Sequence, residues 1–183
     1  MWLDQLPCVH AWADEHKDGL RATMYEVVRV ESGGNPLALN VNGLPSDQQP
    51  RPQTTSEAIR LAKLWIDRGY RVDIGVAQVT DRNLPKMHTT IEQILGDDDK
   101  AVCANLEAGA TILRENYGRA VQQYGEGQKA LAAALSAYNT GTFTGGFANG
   151  YVAKYYSVPA PQMPHPIMRA SINRHAADTD IWQ

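Results

Sequence analysis

The chain has 183 residues, 43% of them apolar and 20% charged, which suits one packed domain and excludes a disordered, collagen-like or coiled-coil chain. Lys and Arg number 17 against 20 Asp and Glu, a net charge of −3. Without a basic block, sequence-independent nucleic-acid binding lacks the clustered cations it needs.

Residues 1–7 have neither a basic start nor a long apolar core, so they do not read as an intact secretory signal. Either the protein stays in the cytoplasm or a signal was removed. No run approaches the roughly 18 apolar residues of a membrane span. Residues 11–32 are expected to form a helix, with Leu20, Met24 and Val27 as its apolar stripe. Gly33 and Gly34 end it, and Asn35-Pro36 blocks continuation. Residues 42–53 form a polar loop with prolines at 45, 50 and 52. Thr54 and Glu57 fit a capping box for a second helix that stops near Gly69. The short, β-branched stretch 71–79, interrupted by Gly75, predicts a strand or irregular hairpin segment.

Further helices are expected over 90–95, 100–117 and 128–138, followed by a glycine-rich loop, 141–150, and a short segment, 151–156. From Val158 the chain holds four of its ten prolines and little apolar pattern, which suits a peripheral extension. The expected fold is therefore mainly α, with a small irregular β segment near 71–79. Residues 1–157 form one domain and 158–183 a Pro-rich extension. Cys8 and Cys103 match no metal or redox spacing. As a disulfide they would close a long loop, worth roughly 4–5 kcal/mol in the chain-entropy model; two buried thiols are the alternative.

Glu31 continues the Leu20–Met24–Val27 stripe by the next step of four. Partial desolvation and the negative end of the helix dipole both disfavour its ionised form. A carboxyl kept protonated is what a general acid needs. Position alone favours a helix-end Glu that simply reaches water. Residues 31–36, Glu-Ser-Gly-Gly-Asn-Pro, resemble the first motif of the peptidoglycan lytic transglycosylases, a lysozyme-like family with its catalytic Glu at a helix end. The second family motif, Gly-Leu-Met-Gln-hydrophobic, is matched more loosely by Gly75-Val76-Ala77-Gln78-Val79, with Ala77 where Met is usual. Ala137-Tyr138-Asn139-Thr140-Gly141 matches the third in full, and Gly150-Tyr151-Val152 matches a fourth. The order of the motifs is the family's, and the resemblance covers roughly residues 8–157. It is closest to the branch that accompanies type IV secretion and conjugation systems, which carries an inserted helix where 54–69 stands. The paired cysteines of that branch match Cys8 and Cys103, so the resemblance implies the disulfide.

Glycosidic cleavage usually takes two carboxylates. Here only Glu31 is convincing: Asp73 could as easily be a turn residue, and Asp97, Asp98 and Asp99 look like a solvated run before a helix. The resemblance resolves this through the substrate, whose own 6-hydroxyl on N-acetylmuramic acid attacks the anomeric carbon. Glu31 acts first as acid and then as base, and a 1,6-anhydro sugar results. Intramolecular attack gains from proximity. The resemblance also implies substrate contacts at Ser32, Asn40, Gln78, Tyr138, Asn139 and Tyr151.

Each has an ordinary structural reading as well. Ser32 can bond to local backbone. Gln78 can be an edge-strand amide rather than a donor and acceptor for an acetamido group. Tyr138 lies on the Leu131–Leu135 stripe, Tyr151 has Tyr155 and Tyr156 as neighbours, and Asn139 can hold the turn after its helix. Asn40 stands where the family often has a sugar-contacting Ser. The five histidines form no metal-binding spacing, and no metal or cofactor is expected. The implied partners are peptidoglycan strands and components of a secretion or conjugation system, and the implied location is the periplasm, which suits a disulfide. Two rivals stand beside this reading: a goose-type-lysozyme-like hydrolase of the same bond, and a catalytically weak glycan-binding assembly factor, which the Ala77 departure keeps open.

Overall fold

A computed structural model describes residues 2–14 and 18–156; the expected extension, 158–183, lies outside them. The described residues fall into two compact units, the first made of 2–14 and 23–111, the second of 18–22 and 112–156.

In the stretch expected as a helix over 11–32, the described residues form α1 (Pro7–Asp14), which begins earlier than expected, and α2 (Asp18–Glu31). Pro7 suits a first helical turn, where its missing N–H costs nothing. On α2, Met24, Val27 and Val28 are fully buried. Leu20 and Glu31 are half-buried. Gly33 (φ +63°) and Gly34 (φ +87°) then take left-handed backbone conformations that end the helix.

A short strand that the sequence pattern did not predict follows, β1 (Leu39–Val41). It pairs antiparallel with β2 (Val72–Ile74), which pairs in turn with β3 (Val79–Thr80). Leu39, Val41, Val72, Ile74 and Val79 are buried, while the paired Asn40 and Asp73 point to the other face. The polar loop after β1 is stitched by Gln49, whose side-chain carbonyl accepts from the Val41 N–H (2.7 Å) and whose amide donates to the Val41 and Leu44 carbonyls (2.9 and 3.0 Å).

Helix α3 (Thr55–Asp67) starts as expected, the Thr54 hydroxyl accepting from the Glu57 N–H at 3.2 Å. The Glu57 carboxylate reaches one residue further back than a capping box requires, to the Gln53 N–H at 2.9 Å. Helix α4 is a single turn (Ile91–Ile94). Helix α5 (Asp99–Tyr124) runs well beyond the expected end at Tyr117. Gly118 has open space around it and does not break the helix, and Ala120 continues the buried face. The aspartates before α5 do more than sit in water: Asp98 accepts from the Ala101 N–H (2.9 Å), and Asp97 accepts from the Thr55 hydroxyl (2.7 Å). Cys8 on α1 and Cys103 on α5 are joined by a disulfide.

In the second unit, α6 (Gln128–Thr140) ends at Gly141, in left-handed conformation, whose N–H donates to the Ala137 carbonyl. Buried Ala120, Ala130 and Ala133 pack with Tyr117, Val121, Tyr124 and Phe143. The glycine-rich stretch expected as a loop contains a helical turn, α7 (Gly145–Ala148). The Gly146 N–H donates to the Ser136 hydroxyl, which donates to the Thr142 carbonyl, both at 2.8 Å. The chain is thus mainly α with one small antiparallel sheet, the expected class.

Candidate active site

In the first unit the motif at the end of α2 meets the motif between β2 and β3. Residues 75–78 form a tight turn closed by the Gln78 N–H on the Gly75 carbonyl (3.2 Å), with Gly75 at φ +75° and Gln78 at φ +49°. The Gly75 N–H is held by the Ala38 carbonyl at 2.8 Å. The Ser32 hydroxyl donates to the Val76 carbonyl at 2.8 Å and accepts from the Gly34 N–H at 3.1 Å. It also lies 3.3 Å from the Val28 carbonyl. The residue next to Glu31 therefore ties the helix end to the turn, and its hydroxyl is committed to backbone.

Gln78 is not an edge-strand amide facing water. Its side-chain nitrogen donates to the carbonyls of Gly75 (2.8 Å) and Ala38 (3.2 Å). That leaves the side-chain carbonyl as the end it can offer a ligand. These bonds hold a non-glycine residue in left-handed backbone geometry, which is uncommon away from Gly and Asn.

Asn40 is exposed on the open face of the sheet and donates to Asp73 at 3.1 Å. Asn42 donates to the same carboxylate oxygen at 2.9 Å, and Arg71 donates to Asn42 at 2.7 Å. Asp73 is accordingly an acceptor within a polar row on the sheet.

The remaining predicted residues belong to the second unit. Tyr138 is half-buried near the end of α6, and Asn139 is exposed one residue on. The Asn139 side-chain carbonyl accepts from Asn149 at 2.9 Å, and the Asn149 side-chain carbonyl accepts from the Tyr151 N–H at 3.0 Å. The third and fourth motifs are thus joined through Asn149. Tyr151 is 4% exposed, its ring meets Tyr155 edge-on, and the two hydroxyls are 2.6 Å apart.

One neighbour of the 75–78 turn lies outside the four motifs. Asn105 on α5 is 1% exposed; its side-chain carbonyl accepts from the Ala77 N–H (2.8 Å) and its amide donates to the carbonyls of Ile74 (2.9 Å) and Ile94 (3.1 Å). A sequence signal for it exists. Asn105 falls three positions after Val102 on the buried face of its helix, a polar side chain on an apolar stripe, the same anomaly that singles out Glu31. Gly75 is required beside it, because a Cβ there would lie 2.4 Å from the Asn105 amide nitrogen. Among the described residues no group of His, Cys, Asp and Glu could hold a metal ion, and no helix is long and apolar enough to cross a membrane.

No solved structure matches the chain. A type IV secretion system protein virB1 of Brucella abortus is 42% identical over 126 residues, covering 68% of this chain and 50% of that protein. Protein virB1 of Rhizobium radiobacter is 32% identical over 171 residues, covering 88% of this chain and 66% of that protein. Protein virB1 of Agrobacterium fabrum is 28% identical over 165 residues, with coverage of 88% and 64%. The chain thus spans between about half and two thirds of the length of the curated relatives it matches. The family described as Transglycosylase SLT domain matches residues 9–156, a stretch that takes in Glu31, the 75–78 turn and the Asn139–Tyr151 junction. The chain belongs to the transglycosylase SLT domain family.

Proposed function

We propose that the chain is a peptidoglycan lytic transglycosylase that cleaves the bond between N-acetylmuramic acid and N-acetylglucosamine without consuming water. Glu31, as the carboxylic acid, protonates the glycosidic oxygen, and the bond from that oxygen to the anomeric carbon of the muramic acid breaks. The 6-hydroxyl oxygen of the same muramic acid bonds to that carbon, and its proton passes to the Glu31 carboxylate. The acid is regenerated, one end becomes a 1,6-anhydro sugar, and the other gains a 4-hydroxyl. Both proton transfers belong to one carboxyl, so no second carboxylate or metal takes part.

The observation that carries this reading is the tie between Ser32 and the Val76 carbonyl, which fastens the Glu31 helix end to the turn bearing Gln78. Family membership supports the reaction class. Asp73 supports it by contrast, since its Oδ2 is bound by two amides on the sheet. Gln78 is assigned to the substrate through its side-chain carbonyl, and Asn40, Tyr138 and Tyr151 through their polar tips. Ser32 serves the sugar by holding the backbone it bonds to, and Asn139 by holding Asn149, whose side chain in turn accepts from the Tyr151 N–H. The relatives named for type IV secretion support a role in opening the wall for such a machine, in the periplasm.

The test is a digest of purified sacculi by the wild-type chain and by Glu31→Gln, read by mass spectrometry. Loss of a general acid costs about 10²–10⁴-fold, so the variant should release anhydro-ended muropeptides at least about 100-fold more slowly while unfolding at the wild-type temperature. Full turnover by Glu31→Gln would overturn the assignment.

A further inference from the structure

We infer that Asn105 is a positioning residue for this chemistry, acting on the Glu31 helix end through the single peptide between Val76 and Ala77. The inference rests on the proposed function for its catalytic meaning and on geometry for its mechanism. The Val76 carbonyl and the Ala77 N–H are the two ends of one planar peptide. The carbonyl accepts from the Ser32 hydroxyl at 2.8 Å, and the N–H donates to the Asn105 side-chain carbonyl at 2.8 Å. A buried side chain on α5 and the residue beside Glu31 therefore grip the same rigid plate from opposite edges.

The grip cannot rotate freely. The Asn105 amide donates to Ile74 and Ile94, so its side-chain carbonyl is aimed at Ala77 by bonds to two other segments. The side chain lies against the bare Gly75 backbone, its Cγ only 2.8 Å from where a Cβ at that position would stand. On the other edge the Ser32 hydroxyl, while donating to Val76, accepts from the Gly34 N–H and so fixes the turn that ends α2. If the plate tilts, Ser32 loses its acceptor on the turn and keeps only the Val28 carbonyl of its own helix, so the tie between that turn and the helix end bearing the carboxyl is released. A misplacement of about 1 Å at a reacting group can cost 10²-fold in rate.

Two substitutions separate this role from plain stability. Asn105→Ala removes the acceptor and both donors. Asn105→Asp keeps an oxygen for the Ala77 N–H but gives up the donors, so both variants lose stability while only one loses the grip. Turnover on sacculi and amide exchange at Gly34 are measured for the wild type, both variants, Ser32→Ala and the Ser32→Ala/Asn105→Ala double variant, with the Gly146 amide as a control. Expected are a fall in kcat of about 10–100-fold in Asn105→Ala with KM within about twofold, and most of kcat retained in Asn105→Asp. Ser32→Ala should cost several-fold less in the Asn105→Ala background than in the wild type, since both act through one peptide. Gly34 should exchange at least about tenfold faster in Asn105→Ala, with Gly146 unchanged. Equal loss of kcat in the two Asn105 variants, additive effects in the double variant, or unchanged Gly34 protection in Asn105→Ala would overturn the inference. A wild type that releases no muropeptides would overturn the proposed function instead, and the Gly34 exchange would still decide the relay.

Discussion

Gly75 and Gly141 both occupy left-handed backbone, at φ +75° and +77°, yet they answer to different constraints. Around Gly141 there is open space, so an added Cβ meets only the backbone penalty, about 1–2 kcal/mol. At Gly75 the same penalty adds to a 2.4 Å approach to the Asn105 amide nitrogen, itself locked by hydrogen bonds. Urea unfolding should therefore rank Gly75→Ala as more damaging than Gly141→Ala by at least about 1 kcal/mol, the ordinary cost of overpacking. Equal midpoints would mean that the turn yields without cost. At this scale the site is partly legible in the sequence. Glu31 stands out because a carboxyl interrupts an apolar stripe, and Gln78 because it is the one polar side chain of the second motif. What the motif could not reveal is that the Gln78 amide nitrogen is occupied by Ala38 and Gly75, since that depends on a strand pairing across the chain.

Helix α3 is tied to the short helix α4 by an ion pair between Lys63 and Glu92. The hydrogen bond from Lys63, then that from Glu92's own backbone, holds the Glu92 carboxyl at about 2, against an ordinary 4.5. A carboxyl lowered on folding contributes stability that is present above pH 4.5 and lost as the pH falls toward 2. Both side chains are about half exposed (52% and 47%), so water screens the pair and its worth stays below about 1 kcal/mol. Lys63→Met should lower the urea midpoint slightly at pH 7 and much less near pH 2, where the folded-state carboxyl is about half protonated. A difference as large at pH 2 as at pH 7 would assign the effect to packing.

Helices of this kind are legible from local chemistry: Thr54 caps α3, and Gly141 closes α6. The elements that local reading misses are those set by distant partners. Strand β1 is only Leu39–Val41 and exists because Ile74 and Val72 pair with it. The last turns of α5 carry polar Arg119, Gln122 and Gln123, and they are held by Ala120 packing in the second unit.

For the molecule as a whole, the disulfide closes a separation of 95 residues inside the first unit. Loop-closure entropy of that length is worth about 4–5 kcal/mol. A Cys8→Ser/Cys103→Ser double variant should unfold at a lower temperature than the wild type, and reductant should bring the wild type down to it; coincident melting without reductant would contradict the estimate. Such a cross-link suits an oxidising compartment, where the proposed substrate lies. The central claim is that one carboxyl suffices because the sugar supplies its own nucleophile. Digesting sacculi with the wild-type chain in water enriched in heavy oxygen tests this most directly. The account predicts anhydro-ended fragments carrying no label at the newly formed end. Label at that end, with fragments heavier by one water, would show that water and not the sugar's hydroxyl attacks, and would contradict it.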